Sequence, residues 1–316
     1  MGSSLPLPFY SILFTQYTQT SGNTITENGL SSGSGIRSLR DKIIDFASVD
    51  AILTEQEMSE FGSEVLAIPT CLGAIVLAYN LPGVTELRLN PDIIADIFLK
   101  KIKFWNDPTI QTLNPDVRLP ATDITTIHRS DGSGSSYIFT DYLCKVSPEW
   151  KEKMGKGHSI RWKSGISVGG NTVASATIKQ VDGSIGYIGA EHASMLKLPT
   201  IAIRNASGKY VKATAQSIQI AAETDYPDGK MLSITNSPHE DAYPISCFSW
   251  FLVYKNQAYA KRGPRKSEML KEFLFFALAP QQQKIAATMA YVPLPEEIAN
   301  KARKQIESIE WNPDER

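Results

Sequence analysis

Short apolar runs rich in β-branched and aromatic residues alternate along this chain with stretches whose apolar positions recur every three or four residues. Residues 65–68, 74–79, 124–128, 185–188 and 250–254 read as strands. Residues 37–44, 91–99, 136–143, 173–180, 266–279 and 295–309 read as helices. Strands alternating with helices predict an α/β fold with mostly parallel sheets. In such sheets ligands bind at the carboxyl ends of strands, where helices begin. No internal repeat, low-complexity tract or Pro/Gly linker interrupts the pattern. Any domains are therefore joined by strands rather than by a flexible tether.

One such strand-to-helix junction carries more chemistry than the others. Residues 127–143 read Ile-His-Arg-Ser-Asp-Gly-Ser-Gly-Ser-Ser-Tyr-Ile-Phe-Thr-Asp-Tyr-Leu. Arg129 and Asp131 stand two apart, and a small flexible run from Gly132 to Ser136 opens the predicted helix. The first N–H groups of a helix have no internal partner, and the macrodipole puts about half a positive charge there. A guanidinium adds a permanent charge that can fork onto two oxygens. Together these features suit a small tetrahedral oxyanion. The plainer reading is a Ser-capped helix after a turn, since the run lacks the Lys of a nucleotide-binding P-loop.

Composition narrows the classes. At 316 residues the chain is long enough for two domains with buried cores. Apolar residues make up 42% and charged residues 21%, as in a water-soluble globular protein. The net charge of −1, without a long basic block, argues against nucleic acid or an anionic membrane as partner. Apolar runs are too short to span a bilayer. Met1-Gly2 leads directly into the body of the protein with no signal peptide in view, which reads as a mature form. Cys71, Cys144 and Cys247 are too few and too scattered for a metal site, and an odd count leaves at least one thiol free.

The Arg-Ser-Asp-Gly-Ser-Gly-Ser run of residues 129–135 resembles the Arg-Ser-Asp-Gly-Ser-Gly-Thr signature of the phosphate-binding proteins of high-affinity phosphate ABC transporters, the PstS-like family of periplasmic binding proteins. Further similarities follow in order along the chain. Ser4-Leu5-Pro6-Leu7-Pro8-Phe9-Tyr10 is similar to the family's Thr-Phe-Pro-x-Pro-x-Tyr, and Gly29-Leu30-Ser31-Ser32-Gly33-Ser34-Gly35 to its second Gly/Ser loop. Asp45-Phe46-Ala47-Ser48-Val49-Asp50 resembles its Asp-Phe-Gly-Ala-Ser-Asp. Asp96-Ile97-Phe98-Leu99 with Ile102 to Asp107, Gly183-Ser184-Ile185-Gly186-Tyr187 and Tyr291-Val292-Pro293-Leu294-Pro295 complete the series. The resemblance implies a two-lobed periplasmic-binding-protein fold, with residues 1–78 plus 245–316 forming lobe I and residues 79–244 forming lobe II. It also implies the substrate-binding component of a phosphate ABC transporter, working as a monomer with a membrane permease outside the cytoplasm. Whether it is membrane-anchored stays open. No cofactor, metal or enzymatic activity is expected. Cys71 and Cys247 lie where the family's chain crosses between lobes, so they are either a disulfide in an oxidising compartment or two buried thiols.

Carried over residue by residue, the resemblance assigns Ser4, the Leu5 N–H, Ser32 and Asp50 of the first lobe and Arg129, Ser133, Gly134 and Ser135 of the second to the anion. Asp131 supports Arg129. Ser4, Leu5 and Ser135 replace the family's Thr, Phe and Thr; both serines still donate, and Leu5 acts through its backbone. Each assignment has a plainer counterpart: an N-cap for Ser32, a surface ion pair for Arg129 and Asp131, a helix cap for Asp50. Asp50 is the unusual member. An ionised Asp has no proton to donate, so beside an anion it acts only as an acceptor. It would take the P–OH hydrogen of phosphate and reject sulfate, which has none.

Two other functions fit parts of this pattern. The same helix starts and hydroxyls would serve a sulfate or molybdate receptor, which Asp50 argues against. Gly29-Leu30-Ser31-Ser32-Gly33 also fits the G-x-S-x-G elbow of a serine hydrolase using Ser31. That reading needs a strand leading into the Ser and a His base. His128, His158, His192 and His239 stand in no base-like context, although His239-Glu240-Asp241 keeps the idea formally open.

Overall fold

The computed structural model describes residues 2–27, 29, 31–223 and 230–314. In chain order the elements are α1 (Leu7–Ser21), α2 (Ser32–Arg40), β1 (Ala47–Val49), α3 (Glu55–Ser59), β2 (Val65–Asn80), β3 (Arg88–Leu89), α4 (Pro91–Phe98), α5 (Pro108–Leu113), β4 (Thr125–Arg129), α6 (Gly134–Val146), α7 (Pro148–Lys153), β5 (Ile166–Val168), α8 (Gly170–Gln180), β6 (Ser184–Gly189), α9 (Ala190–Leu196), β7 (Ala202–Arg204), β8 (Tyr210–Val211), α10 (Ala215–Ala221), β9 (Ser246–Tyr254), α11 (Pro264–Ala277), α12 (Pro280–Ala287) and α13 (Glu296–Glu307). None of these helices is long and apolar enough to cross a membrane. The chain forms two units. The first comprises Met1–Leu72, Thr224–Ser233 and Phe248–Arg316; the second comprises Gly73–Glu223 and Ile234–Cys247. Two of the four passages between them lie inside β2 and inside β9.

In the first unit β1 pairs antiparallel with β9, Ala47 opposite Leu252 and Val49 opposite Trp250. On its other side Gly2 bridges in parallel to Ser48. A Cβ on Gly2 would come within 2.2 Å of the Ser48 carbonyl oxygen, so only glycine lets the N-terminal segment lie this close. The core is aromatic. Phe14, Phe46, Phe251 and Phe273 pack with ring centroids 4.9–6.4 Å apart, and burying one such side chain contributes roughly 1.5–3 kcal/mol.

In the second unit β2 pairs antiparallel with β6, while β4 runs parallel to both β6 and β5. Two of these three pairings are parallel, in line with the α/β fold and mostly parallel sheet expected from the alternating pattern. Each of the three parallel strands feeds a helix: β4 leads to α6, β5 to α8 and β6 to α9. A smaller sheet holds β3, β7 and β8.

Three readings of the sequence are corrected. Residues 65–68 and 74–79 are one strand, β2, running unbroken through Pro69 and Gly73 and buried from Val65 to Tyr79. Helix α2 begins at Ser32 rather than near residue 37, because Ser31 caps it by accepting the Ser34 N–H at 3.2 Å. Helix α1 is not among the expected elements at all. It has no side-chain cap, and its β-branched and aromatic residues are weak helix formers. Its signal was the burial stripe Phe9, Tyr10, Leu13, Phe14, Tyr17, which keeps helical spacing.

Candidate functional site

The site residues fall into two sets, one in each unit. In the second unit the set forms at the carboxyl end of β4. Arg129 is the last residue of that strand and is 3% exposed. Its backbone N–H donates to the Tyr187 hydroxyl at 2.9 Å, which ties β4 to β6. Its guanidinium forks onto Asp131, with Nε donating to Oδ1 at 2.7 Å and Nη2 to Oδ2. The surface ion pair that the sequence left open is therefore excluded, since a charge this buried has lost most of its water. Asp131 Oδ1 also accepts the Gly170 N–H at 3.3 Å, so the first turn of α8 helps hold the fork. The remaining nitrogen, Nη1, is buried without a hydrogen-bond partner. A buried guanidinium N–H left unsatisfied costs about 1–3 kcal/mol or more.

Helix α6 starts five residues after Arg129. Ser133 is its N-cap and accepts the Ser136 N–H at 3.2 Å. Its own N–H donates to the His158 carbonyl at 2.8 Å. Gly134 and Ser135 form the first turn and are buried, as is Ser136, whose hydroxyl lies 2.7 Å from that of Tyr187. Asn171 in α8 donates to Ser135 Oγ at 3.2 Å, and its own Oδ1 accepts the Gly189 N–H at 3.2 Å. Sequence reasoning did not single out Tyr187, Gly170 or Asn171 as parts of this site. The adjacent glycines Gly169 and Gly170 before Asn171, after Ile166-Ser167-Val168, were the available signal. His192 in α9 is also buried, and burial together with the charge of Arg129 lowers it to about 4. It is neutral at physiological pH, so it contributes no positive charge here.

In the first unit the set gathers where β1 ends. Asp50 follows β1 and is 1% exposed. Its Oδ1 accepts from Ser249 Oγ at 2.7 Å and its Oδ2 from Ser3 Oγ. Its N–H points to Ser32 Oγ at 3.5 Å, and Ser32 is fully buried in the first turn of α2. The helix-cap reading of Asp50 does not hold, because α3 is capped by Thr54 with a reciprocal contact to Glu57. Ser32 is not a plain N-cap either, since Ser31 has that role. Ser4 and Leu5 are buried just ahead of α1. The Leu5 N–H donates to Ser3 Oγ at 3.1 Å, and the Leu5 carbonyl accepts from Tyr291 at 2.7 Å. Ser3 and Ser249 were missed in the sequence. Ser249 lies in a run of strand residues that carries no polar motif, and only the pairing of β9 with β1 brings it to Asp50.

Ser31 does not sit in a hydrolase elbow. No strand precedes it among the described residues, and its hydroxyl lies 3.2 Å from that of Ser34 while capping α2. Cys71 and Cys247 are not disulfide-bonded; both are buried thiols, and burial pushes Cys71 up to about 12.

Comparison with known proteins agrees with this arrangement. The profile of a family described as "PBP superfamily domain" matches residues 1–281. The chain is 35% identical to the phosphate-binding protein PstS of Pasteurella multocida over 96% of its length and 88% of that protein's. It is 33% identical to PstS of Methanocaldococcus jannaschii, covering 90% of this chain and 78% of that one. Among solved structures, a phosphate-binding protein from Stenotrophomonas maltophilia superposes with a TM-score of 0.69 at 16% identity, over 96% of this chain and 92% of that one. An ABC-type phosphate transport receptor from Vibrio cholerae gives 0.61 at 17% identity, over 93% and 98%. Identities that low speak for the fold alone; the sequence matches above them go further, and by those the chain belongs to the PstS-like family of the periplasmic-binding-protein superfamily.

Proposed function

We propose that this chain is the substrate-binding component of a phosphate ABC transporter and that its ligand is inorganic phosphate. The observation that carries this reading is Arg129. A guanidinium buried at the end of β4, forked onto Asp131 and left with Nη1 unpaired, is suited to complete its hydrogen bonds on an oxyanion. The Ser133 hydroxyl and the first-turn amides of Gly134 and Ser135 supply further donors at a helix N-terminus. Ser4, the Leu5 N–H and Ser32 are the donors of the first unit, and the Leu5 N–H would exchange Ser3 Oγ for the ligand. Asp50 is the single acceptor. Hydrogen bonds with one charged partner contribute roughly 1.5–3 kcal/mol each. Six or seven of them, after the costs of ordering and desolvation, give affinities at or below micromolar.

The reading is of a receptor and not an enzyme, acting as a monomer outside the cytoplasm and delivering phosphate to a membrane permease. We take its lobes to be residues 1–78 with 245–316 and residues 79–244, bounds that fall within a few residues of the passages between the two units in β2 and β9. Calorimetric titration of ligand-stripped protein with phosphate and sulfate in parallel tests it. Phosphate should bind tightly and sulfate poorly at neutral pH. Equal affinity for the two would replace the phosphate receptor with a general oxyanion receptor.

A further inference from the structure

The acceptor in this proposed site is held by a device that the sequence motifs do not contain. The N-terminal segment bridges in parallel to β1 at Gly2 and Ser48, and β9 pairs with β1 antiparallel on its other side. Asp50, one step past β1, therefore has Ser3 on one flank and Ser249 on the other. Each serine donates to a different carboxylate oxygen, Ser249 Oγ to Oδ1 at 2.7 Å and Ser3 Oγ to Oδ2. A hydroxyl has one proton and two lone pairs. An ionised carboxylate has no proton to give, so the Ser3 proton is the one directed at Asp50, whether or not the Leu5 N–H keeps its own 3.1 Å contact to Ser3 Oγ. Ser249 is fully buried in β9, and its carbonyl accepts from Thr70 Oγ1 at 2.9 Å, so its side chain starts from a fixed backbone.

We infer that Ser249, together with Ser3, is a positioning residue that keeps Asp50 an ionised acceptor and thereby sets the pH below which the receptor stops discriminating against sulfate. This rests on the phosphate reading above. Hydrogen bonds donated to a carboxylate favour its charged form, and losing one favours protonation at higher pH. Among the described residues, the Tyr10 phenol and the Cys71 thiol feel the charge of Asp50. Burial is the main cause that raises both, and the charge of Asp50 adds to it. Both are neutral at physiological pH, so neither supplies a counter-charge. Hydroxyl donors on both carboxylate oxygens favour its ionised form. Once Asp50 takes a proton it turns from acceptor to donor, and a sulfate oxygen is no longer repelled.

The test is calorimetric titration of phosphate and sulfate between pH 4.5 and 8 with the full chain, its Ser249→Ala and Ser3→Ala variants, and Ser249→Thr. In the native protein sulfate binding should appear only on acidification. With Ser249→Ala that onset should move up by about one pH unit, as expected for losing one hydrogen bond to a charged group, and Ser249→Thr should restore it. Ser3→Ala should move it in the same direction from the opposite oxygen, which provides a second arm should Ser249→Ala fail to fold. A merely structural role would lower melting temperature and leave the sulfate pH profile in place. Folded variants whose sulfate profile superimposes on the native one would overturn the inference alone. Native protein that binds both anions alike would overturn the phosphate reading and the inference with it.

Discussion

A single side chain, Arg129, carries the only full positive charge assigned to the ligand, and it is 3% exposed. Removing it takes away the Nη1 donor proposed for the anion and leaves Asp131 without its partner. Truncating one member of a desolvated charge-assisted pair costs on the order of 2–5 kcal/mol. Arg129→Ala should therefore lower phosphate affinity at least tenfold in calorimetry, and wild-type affinity would show that the anion binds elsewhere. Arg129→Lys should also weaken binding, because an ammonium cannot present the planar fork that grips Asp131 through Nε and Nη2. His192 makes a separate prediction. Its folded value of about 4 lies below its ordinary 6.5, so the unfolded chain binds more protons in that interval. Stability then falls as pH drops from 6.5 towards 4, by at most about 1.4 kcal/mol per unit from this group. His192→Gln should flatten that part of a stability-against-pH curve measured by denaturant unfolding. An unchanged slope would mean that His192 protonates in the folded protein as readily as in water.

At the scale of elements, the motif Gly183-Ser184-Ile185-Gly186-Tyr187 shows what a sequence can reveal and what it cannot. It is recognisable as a family landmark, yet its physical reasons appear only in the fold. Gly183 has φ +74, and a Cβ there would lie 2.6 Å from the Asp123 carbonyl. Gly186 sits under α8, where a Cβ would meet Ile178 Cδ1 at 2.7 Å and the Ile127 carbonyl oxygen at 3.1 Å. Tyr187 reaches across to the Arg129 N–H. Gly183→Ala and Gly186→Val should each destabilise by roughly 1–3 kcal/mol, the first through backbone strain and the second through overpacking. The check is the denaturant midpoint: an unchanged value would count against strain at Gly183 in the first variant and against tight α8–β6 packing in the second. The same contrast runs through the site. Arg129 and Ser133 were legible because they stand in a local run of Gly, Ser and charge at an element's end, whereas Asp50 stands in none and was singled out by the family resemblance alone. Tyr187, Asn171, Ser3 and Ser249 were not legible, because their roles come from strand pairing or helix packing between segments distant in sequence. Elements followed the same rule. Helices with strong periodicity were legible, whereas α1 was hidden by its aromatic residues and β2 was split by Pro69 and Gly73, which a buried strand tolerates here.

For the whole molecule the relevant quantity is charge. The chain has 32 Lys and Arg against 33 Asp and Glu, a net charge of −1. The residues proposed to meet phosphate repeat that balance: Arg129 is offset by Asp131, and Asp50 adds a further negative charge. An anion is thus expected to bind where net charge does not favour it. The attraction must come from hydrogen-bond donors and helix N-terminal dipoles, which act at short range on a desolvated ligand. Salt screens exposed charges over about 10 Å at 0.1 M, and buried interactions much less. Binding by dipoles should therefore be nearly indifferent to ionic strength, whereas capture by a basic surface patch would weaken steeply. Phosphate titrations at 20 and 500 mM NaCl, at fixed pH, separate the two. The expected change in Kd is within about threefold, a bound that follows from the weak screening of buried groups. A tenfold or greater loss at high salt would mean that surface lysines and arginines hold the anion, and the buried donors around Arg129 and Asp50 would then need another purpose.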